Sequence, residues 1–289
     1  MSRLGRPFRA AVRPLSLLAA VCLCAQVASC MPPRWGANAL LHPPRRPVTE
    51  VPTVKFEKVD LDVGIHLVGW LFRTERPRRG LVVYLHGMGD NRSSGISMAR
   101  HFNAMGFDLL AYDSRAHGES GGDACTYGFY EKKDLSRALD KLGAGPVVAF
   151  GVSLGAGIAL QAAAEDPRIA LVVAVSSISD LRTAVAERAP FFASRGNIDQ
   201  AFRIAETEGA FRVDEVNPAA AAAKIHAPVL VIHGADDRET PPAHSERVYR
   251  ALAGPKKLIL VPGAQHNDAL TPEAWRQIDD WIASHWPPA

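Results

Sequence analysis

Apolar and polar positions along the chain fall into distinct regimes. From Val54 to Asp62 and from Ile65 to Phe72 they alternate, with Val63-Gly64 between the two runs. Period-two alternation marks half-buried strands and the glycine supplies a turn, so an antiparallel hairpin at a sheet edge is predicted. Beyond Gly80 the apolar runs are short and lose their alternation: Leu81 to Leu85, Asp108 to Tyr112, Val147 to Phe150, Ala170 to Val175, Val229 to Ile232 and Leu258 to Val261. Strands covered on both faces read this way. Stretches of helical period lie between them, at Ser94 to Met105, Glu131 to Leu142, Leu154 to Ala164, Ala243 to Ala253 and Pro272 to His285. They supply the crossovers that parallel strands require. The expected fold class is α/β: a mostly parallel central sheet with an antiparallel N-terminal hairpin and helices on both faces.

Two segments break the rhythm. Between Ser176 and Ala227 about 50 residues, helical in character and including the alanine run Ala219 to Ala223, replace a connection of the usual two to six. An insertion over about 178–225 is expected there. Upstream, Met31 to Thr53 holds six prolines with little apolar periodicity and reads as an extended tether over 30–53. The catalytic-size domain is then expected over 54–289.

Residues 1–30 follow a third pattern. Arg3, Arg6, Arg9 and Arg13 with no acid precede an apolar run from Leu15 to Ala28, the layout of a secretory signal. At about 14 residues the run is shorter than the roughly 20 that a spanning helix needs. Val27-Ala28-Ser29-Cys30 resembles a bacterial lipobox, which implies cleavage after residue 29 and a lipid on Cys30. Met31 and Pro32, in place of an aspartate, resemble the outer-membrane address of enteric bacteria. A lipid-anchored cell-envelope protein is expected, with an ordinary secreted protein as the alternative.

Charge changes the picture only once this signal is set apart. The whole chain of 289 residues carries +3, with 33 Lys and Arg against 30 Asp and Glu. Four of the arginines and none of the acids lie in residues 1–29, so residues 30–289 hold 29 against 30, a net charge of −1. The apparent basicity belongs to the export signal, and no case remains for nucleic acid as partner or for electrostatic membrane binding. Hydrophobic content of 47%, charged content of 22% and a mean hydropathy of −0.02 exclude disorder, collagen and coiled coil. Cys22 and Cys24 leave with the signal and Cys30 is modified, so Cys125 is left alone and is expected as an inert packed thiol.

Candidate chemistry lies at the ends of the apolar runs. Gly151-Val152-Ser153-Leu154-Gly155 joins a strand to a helix, the context in which G-x-S-x-G sets a serine on a sharp, strained turn. Small flanking residues let the two elements pack closely, and the helix N-terminus favours developing negative charge. A hydroxyl becomes a nucleophile when a base takes its proton, and the base needs a carboxylate to orient it. Two loops after later strands offer these groups. His233-Gly234-Ala235-Asp236-Asp237 follows Val229 to Ile232, and Pro262-Gly263-Ala264-Gln265-His266 follows Leu258 to Val261. Both lie at the carboxyl ends of parallel strands, where open α/β sheets place their sites.

From about Gly80 to Trp281 the chain resembles the α/β-hydrolases, in the family order Ser, Asp, His. The resemblance implies Ser153 as nucleophile, His266 as base and Asp237 as acid, with Asp236 the alternative carboxylate. His86-Gly87-Met88-Gly89 resembles the family's oxyanion loop, which implies the backbone N–H groups of Met88 and Leu154 as oxyanion donors. Asp113, His117 and Ser120, in a turn that carries Ala116 where the family has glycine, are expected to be structural, as are His86 and His233. In this family the segment after the sixth strand is commonly a cap, which the insertion matches. Phe191, Phe192, Phe202 and Phe211 either line an acyl pocket there or pack small helices. No HExxH, phosphate loop or dinucleotide fingerprint occurs, so neither metal nor cofactor is implied. The implied partner is a small acyl ester, thioester or amide. Carboxylesterase-like activity is expected first, with a peptidase, an acyltransferase or a non-catalytic lipid-anchored binding protein as alternatives.

Overall fold

The structure, a computed structural model, describes residues 32–191 and 193–287. The segment read as an export signal, with Cys22, Cys24 and Cys30, lies outside the described residues, as does Phe192. Strands β1 (Glu57–Asp62) and β2 (His66–Phe72) form the expected hairpin, closed at Asp62 opposite His66. They are followed by β3 (Gly80–Leu85), β4 (Phe107–Tyr112), β5 (Val147–Val152), β6 (Ile169–Val175), β7 (Val229–Gly234) and β8 (Lys256–Val261). One eight-stranded sheet results, in the order β1-β2-β4-β3-β5-β6-β7-β8. Only the β1–β2 and β2–β4 pairs are antiparallel.

Strands β3 to β7 are buried almost throughout, as their unbroken apolar runs require. Strand β8 differs: it is the sheet edge, and most of it is half-exposed. Helices α2 (Ile96–Ala104) and α9 (Pro272–His285) cover one face, where Phe102, Phe150 and Trp275 meet. Helices α3 (Glu131–Lys141), α4 (Leu154–Ala163) and α8 (Ala243–Ala251) cover the other.

The stretch expected as a tether is not one. Residues Pro33–Leu41 form helix α1, with Pro33 at its first turn, where the missing N–H costs nothing. Ala37, Leu40 and Leu41 are buried, and the chain beyond is pinned to the domain. The Cys125 N–H donates to Leu41 O at 2.8 Å, His42 Nδ1 to Asp123 O at 2.8 Å, and Arg45 to the carbonyls of Ser120 and Gly122. Pro33 starts a helix here, and the later prolines lie in irregular chain laid against the domain.

The insertion folds into α5 (Leu181–Arg188), α6 (Arg195–Gly209), a short 3₁₀ turn and α7 (Pro218–Ala222). Phe202 and Phe211 are buried with Leu40, Leu41 and Leu181 in a separate apolar cluster, which welds the insertion to α1. Asp180 caps α5: its carboxylate accepts from the Thr183 N–H at 2.8 Å and from the Ser179 hydroxyl at 2.8 Å. Burial alone pushes this carboxyl up, but the Thr183 and Ser179 bonds outweigh it and hold it below the ordinary carboxylate value.

Two measurements check this account. A Cβ on Gly155 would lie 2.0 Å from Leu85 O, so Gly155→Ala should destabilise the protein by about 3 kcal/mol or more in urea unfolding. Gly145→Ala, with no atom within 4 Å, should stay near wild type. The stability from Asp180 is complete above the ordinary carboxylate pKa and is lost as pH falls through its depressed folded value. Asp180→Ala should therefore cost about 1 kcal/mol at neutral pH, with the difference from wild type vanishing in strong acid.

Candidate active site

The turn between β5 and α4 sets the geometry. Ser153 adopts φ 52° and ψ −111°, a conformation that L-residues rarely hold, and its N–H donates to Val175 O at 2.8 Å. Gly151 and Gly155 permit it. A Cβ on Gly151 would lie 2.2 Å from Gly155 O, and one on Gly155 would strike Leu85 O. With strand and helix in backbone contact, the serine side chain is pushed out of the sheet. Its hydroxyl does not cap the helix and is left for another partner.

That partner is His266, whose Nε2 lies 3.0 Å from Ser153 Oγ. The opposite ring nitrogen, Nδ1, donates to Asp237 Oδ2 at 2.7 Å, which fixes the tautomer that leaves Nε2 free to accept the serine proton. Residues 113 and 29 positions apart in sequence meet because two loops touch. A Cβ on Gly234 would lie 2.4 Å from Ala264 O, so the loops after β7 and β8 run backbone against backbone. The Ser176 hydroxyl donates to His266 O at 3.1 Å and ties the second loop to the end of β6.

Asp237 is buried, whereas Asp236 faces solvent and donates its N–H to Ala264 O at 3.0 Å. Of the two carboxylates, Asp237 is the one brought to His266. Its Oδ1 accepts from the N–H groups of Glu239 and Thr240, each at 2.9 Å. Burial pushes its pKa up, but the Thr240 N–H, His266 and His233 together hold it below the ordinary value. His233 Nε2 donates to Thr240 O at 2.7 Å and approaches Asp237 Oδ2 at 3.1 Å, while its Nδ1 accepts from Ser245. Burial depresses the His233 pKa, so a neutral imidazole pins the acid loop.

Met88 and Leu154 line the same cavity as Ser153. Leu154 opens α4, where first-turn N–H groups lack intrahelical acceptors. Gly87 brings the Met88 turn against the serine: a Cβ there would sit 3.7 Å from Ser153 Cβ. His86 holds that turn by donating to Gly87 O at 2.8 Å and accepting from the Ser114 N–H at 3.0 Å. Burial depresses its pKa, and that of His117 is brought down to about 4 by burial and the adjacent His86 ring. Asp113 accepts from the Arg92 N–H at 2.7 Å and pairs with its guanidinium, and Ser120 bonds the Asp113 carbonyl at 2.6 Å. These are supports, as the sequence suggested. Cys125 is buried with its pKa pushed up by burial, which makes it an inert thiol.

The cavity over Ser153 holds about 360 Å³. Apart from Tyr127, Ser153, Arg188 and Asn197 its walls are apolar, drawn from the insertion, from α4 and from α1. Phe202 and Phe211 do not line it and Phe191 is exposed, so small aliphatic side chains make the lining. Arg188, at the end of α5, donates from Nε to Glu239 O at 3.0 Å and also bonds Thr240 Oγ1. No local pattern in the chain marks that link between the insertion and the acid loop. Among the described residues no group of three His, Cys, Asp or Glu side chains is arranged to hold a metal ion, and no helix is long and apolar enough to cross a membrane.

Comparison with known proteins agrees with this architecture. The family model of the alpha/beta hydrolase fold matches residues 80–195. An uncharacterised protein of Bacillus subtilis is 31% identical over 195 residues, and the aligned part spans 64% of each chain. Another, from Mycobacterium tuberculosis, is 30% identical over 217 residues, covering 73% of this chain and 71% of that one. A monoacylglycerol lipase of Mycolicibacterium smegmatis is 28% identical over 269 residues, 77% of this chain and 94% of that one. Among solved structures, a Pyrococcus furiosus esterase superposes with a TM-score of 0.70 at 22% identity, over 85% of this chain and all of that one. With its sheet order, its strand-serine-helix turn and these matches, the chain belongs to the alpha/beta hydrolase fold family.

Proposed function

We propose that the protein is a serine hydrolase that cleaves a carboxylic ester through an acyl-enzyme. The observation that carries this reading is the continuous relay from Ser153 Oγ through His266 to Asp237, at 3.0 and 2.7 Å, opening into an apolar cavity. In the reaction, Ser153 Oγ bonds to the acyl carbonyl carbon while its proton passes to His266 Nε2. Asp237, held ionised, stabilises the imidazolium. The tetrahedral oxyanion is met by the N–H groups of Met88 and Leu154, each such donor contributing about 2.7–4 kcal/mol to the transition state. The C–O bond to the alcohol then breaks, and the alcohol leaves with the proton from His266. Water follows the same route in reverse, giving its proton to His266 and its oxygen to the acyl carbon, and Ser153 is restored.

An ester is favoured over a peptide because the cavity walls offer few polar groups to a peptide backbone, and because a relative acts as a monoacylglycerol lipase. Residues 1–30 complete the proposal as a lipoprotein signal, with Cys30 carrying the lipid that holds the domain on the cell envelope. Its support is the run of arginines, apolar residues and Val-Ala-Ser-Cys.

Fluorophosphonate labelling tests the nucleophile. Wild type should label and Ser153→Ala should not; a folded wild type that stays unlabelled rejects the reading. Asp237→Asn should lower kcat for a p-nitrophenyl ester by about 10⁴-fold, whereas Asp236→Asn should leave it within about twofold. For the anchor, mass spectrometry of the membrane fraction should find Cys30 acylated. An unmodified N-terminus, or Cys30→Ala still retained by membranes, would count against it.

A further inference from the structure

Five residues from the N-terminal segment, Pro32, Pro33, Gly36, Ala39 and Leu40, line the cavity that contains Ser153. They lie outside the part of the chain matched by the family model. Positions 33, 36, 37, 40 and 41 form one helical stripe, and the stripe divides its work. Ala37 and Leu41 are buried towards α6 and the adjoining core, while Pro33, Gly36 and Leu40 also face the cavity.

The fit against α6 is close. A Cβ on Gly36 would lie 3.1 Å from Ala201 Cβ, and one on Gly209 would lie 2.9 Å from Leu41 Cδ2. On the other side the Tyr127 hydroxyl donates to Leu40 O at 3.1 Å, and Tyr127 itself lines the cavity. The wall is therefore held from the insertion and from the main domain at once. It is part of the folded site and cannot drift as a linker would.

We infer that α1 is the specificity wall of the acyl cavity, setting how long an aliphatic acyl chain the enzyme accepts, with Ala39 and Leu40 as its specificity-determining residues. This rests on the reading of Ser153 as the acylated residue. The substrate class follows from the lining. Aliphatic side chains, proline rings and glycine surround the space, and Tyr127 is the only aromatic among the lining residues described. A flexible aliphatic chain gains burial along these walls, at roughly 0.8 kcal/mol per methylene, whereas an aromatic acyl group finds a single ring, Tyr127, to pack on. Ala39 sits on the exposed side of the wall and Leu40 on its buried side, so the two mark its outer and inner edges.

The test measures kcat/KM across p-nitrophenyl esters from acetate to dodecanoate. Ala39→Trp, a change at an exposed position that leaves folding intact, should lower the dodecanoate-to-acetate ratio at least tenfold. Leu40→Ala should raise that ratio, and Trp35→Ala, on the solvent face of the same helix, should leave it in place. A ratio unchanged within about twofold in Ala39→Trp, or moved as far by Trp35→Ala, overturns the proposal. A short fluorophosphonate applied to the same variants reports separately on Ser153. Should wild type neither label nor turn over, the nucleophile reading fails and the wall is judged by binding. In that arm straight-chain carboxylates displace a fluorescent fatty acid from Ser153→Ala protein. Addition of Ala39→Trp must then weaken the longer carboxylates at least tenfold; equal displacement overturns the wall.

Discussion

The close approach of β5 to α4 is the constraint on which the site depends. Strand and helix meet with only Gly151 and Gly155 between their backbones, and Leu85 of the neighbouring strand presses against the second glycine. No side chain can enter that space. The turn between them is forced into a conformation that costs energy, of order 1–3 kcal/mol, and the surrounding packing sustains it. Strain here serves position: Ser153 is fixed at the rim of the sheet by the same contacts that hold three layers together. Loss of the serine side chain would leave this packing undisturbed, whereas a side chain at either glycine would force the two backbones apart.

Around that fixed point the other groups are held by a chain of local devices. Gly234 lets the acid and histidine loops touch, Ser176 ties the histidine loop to β6, and His233 and two N–H groups hold Asp237 in place. Asp237 thus accepts more bonds than orientation of one imidazole needs. A buried carboxylate left with one partner would be driven towards its neutral form; the added donors keep it charged. Arg188 extends this support into the insertion, so the roof of the cavity and the acid loop share a bond.

Much of this was legible in the sequence for a physical reason. Unbroken apolar runs such as Leu81 to Leu85 mark strands with two covered faces, and β3 to β7 lie where those runs predict, within two residues. The Gly-x-Ser-x-Gly turn is readable because its glycines are steric necessities. The loops that carry Asp237 and His266 are readable because each follows a strand closely, whereas the choice of Asp237 over Asp236 rests on the family resemblance. The failures are equally physical. Six prolines between Met31 and Thr53 concealed Trp35 to Leu41, since proline content signals extension unless its place at a helix start is weighed against the apolar stripe that follows. The phenylalanines of the insertion could not be assigned because periodicity tells which face is apolar, not which neighbour covers it. Bonds such as Arg188 to the acid loop join residues some 50 apart and leave no local pattern.

Helix α1 also shortens the path between Cys30 and the site. From Cys30 to the cavity-lining Pro32 there are two peptide units, at most about 8 Å of chain. A lipid carried on Cys30, as proposed, would therefore act less as a leash than as a mount. The cavity mouth would be held within a short reach of the membrane surface. Attachment point and substrate wall would then be consecutive parts of one short segment, so selection for where the protein sits and for what it accepts would act on the same dozen residues.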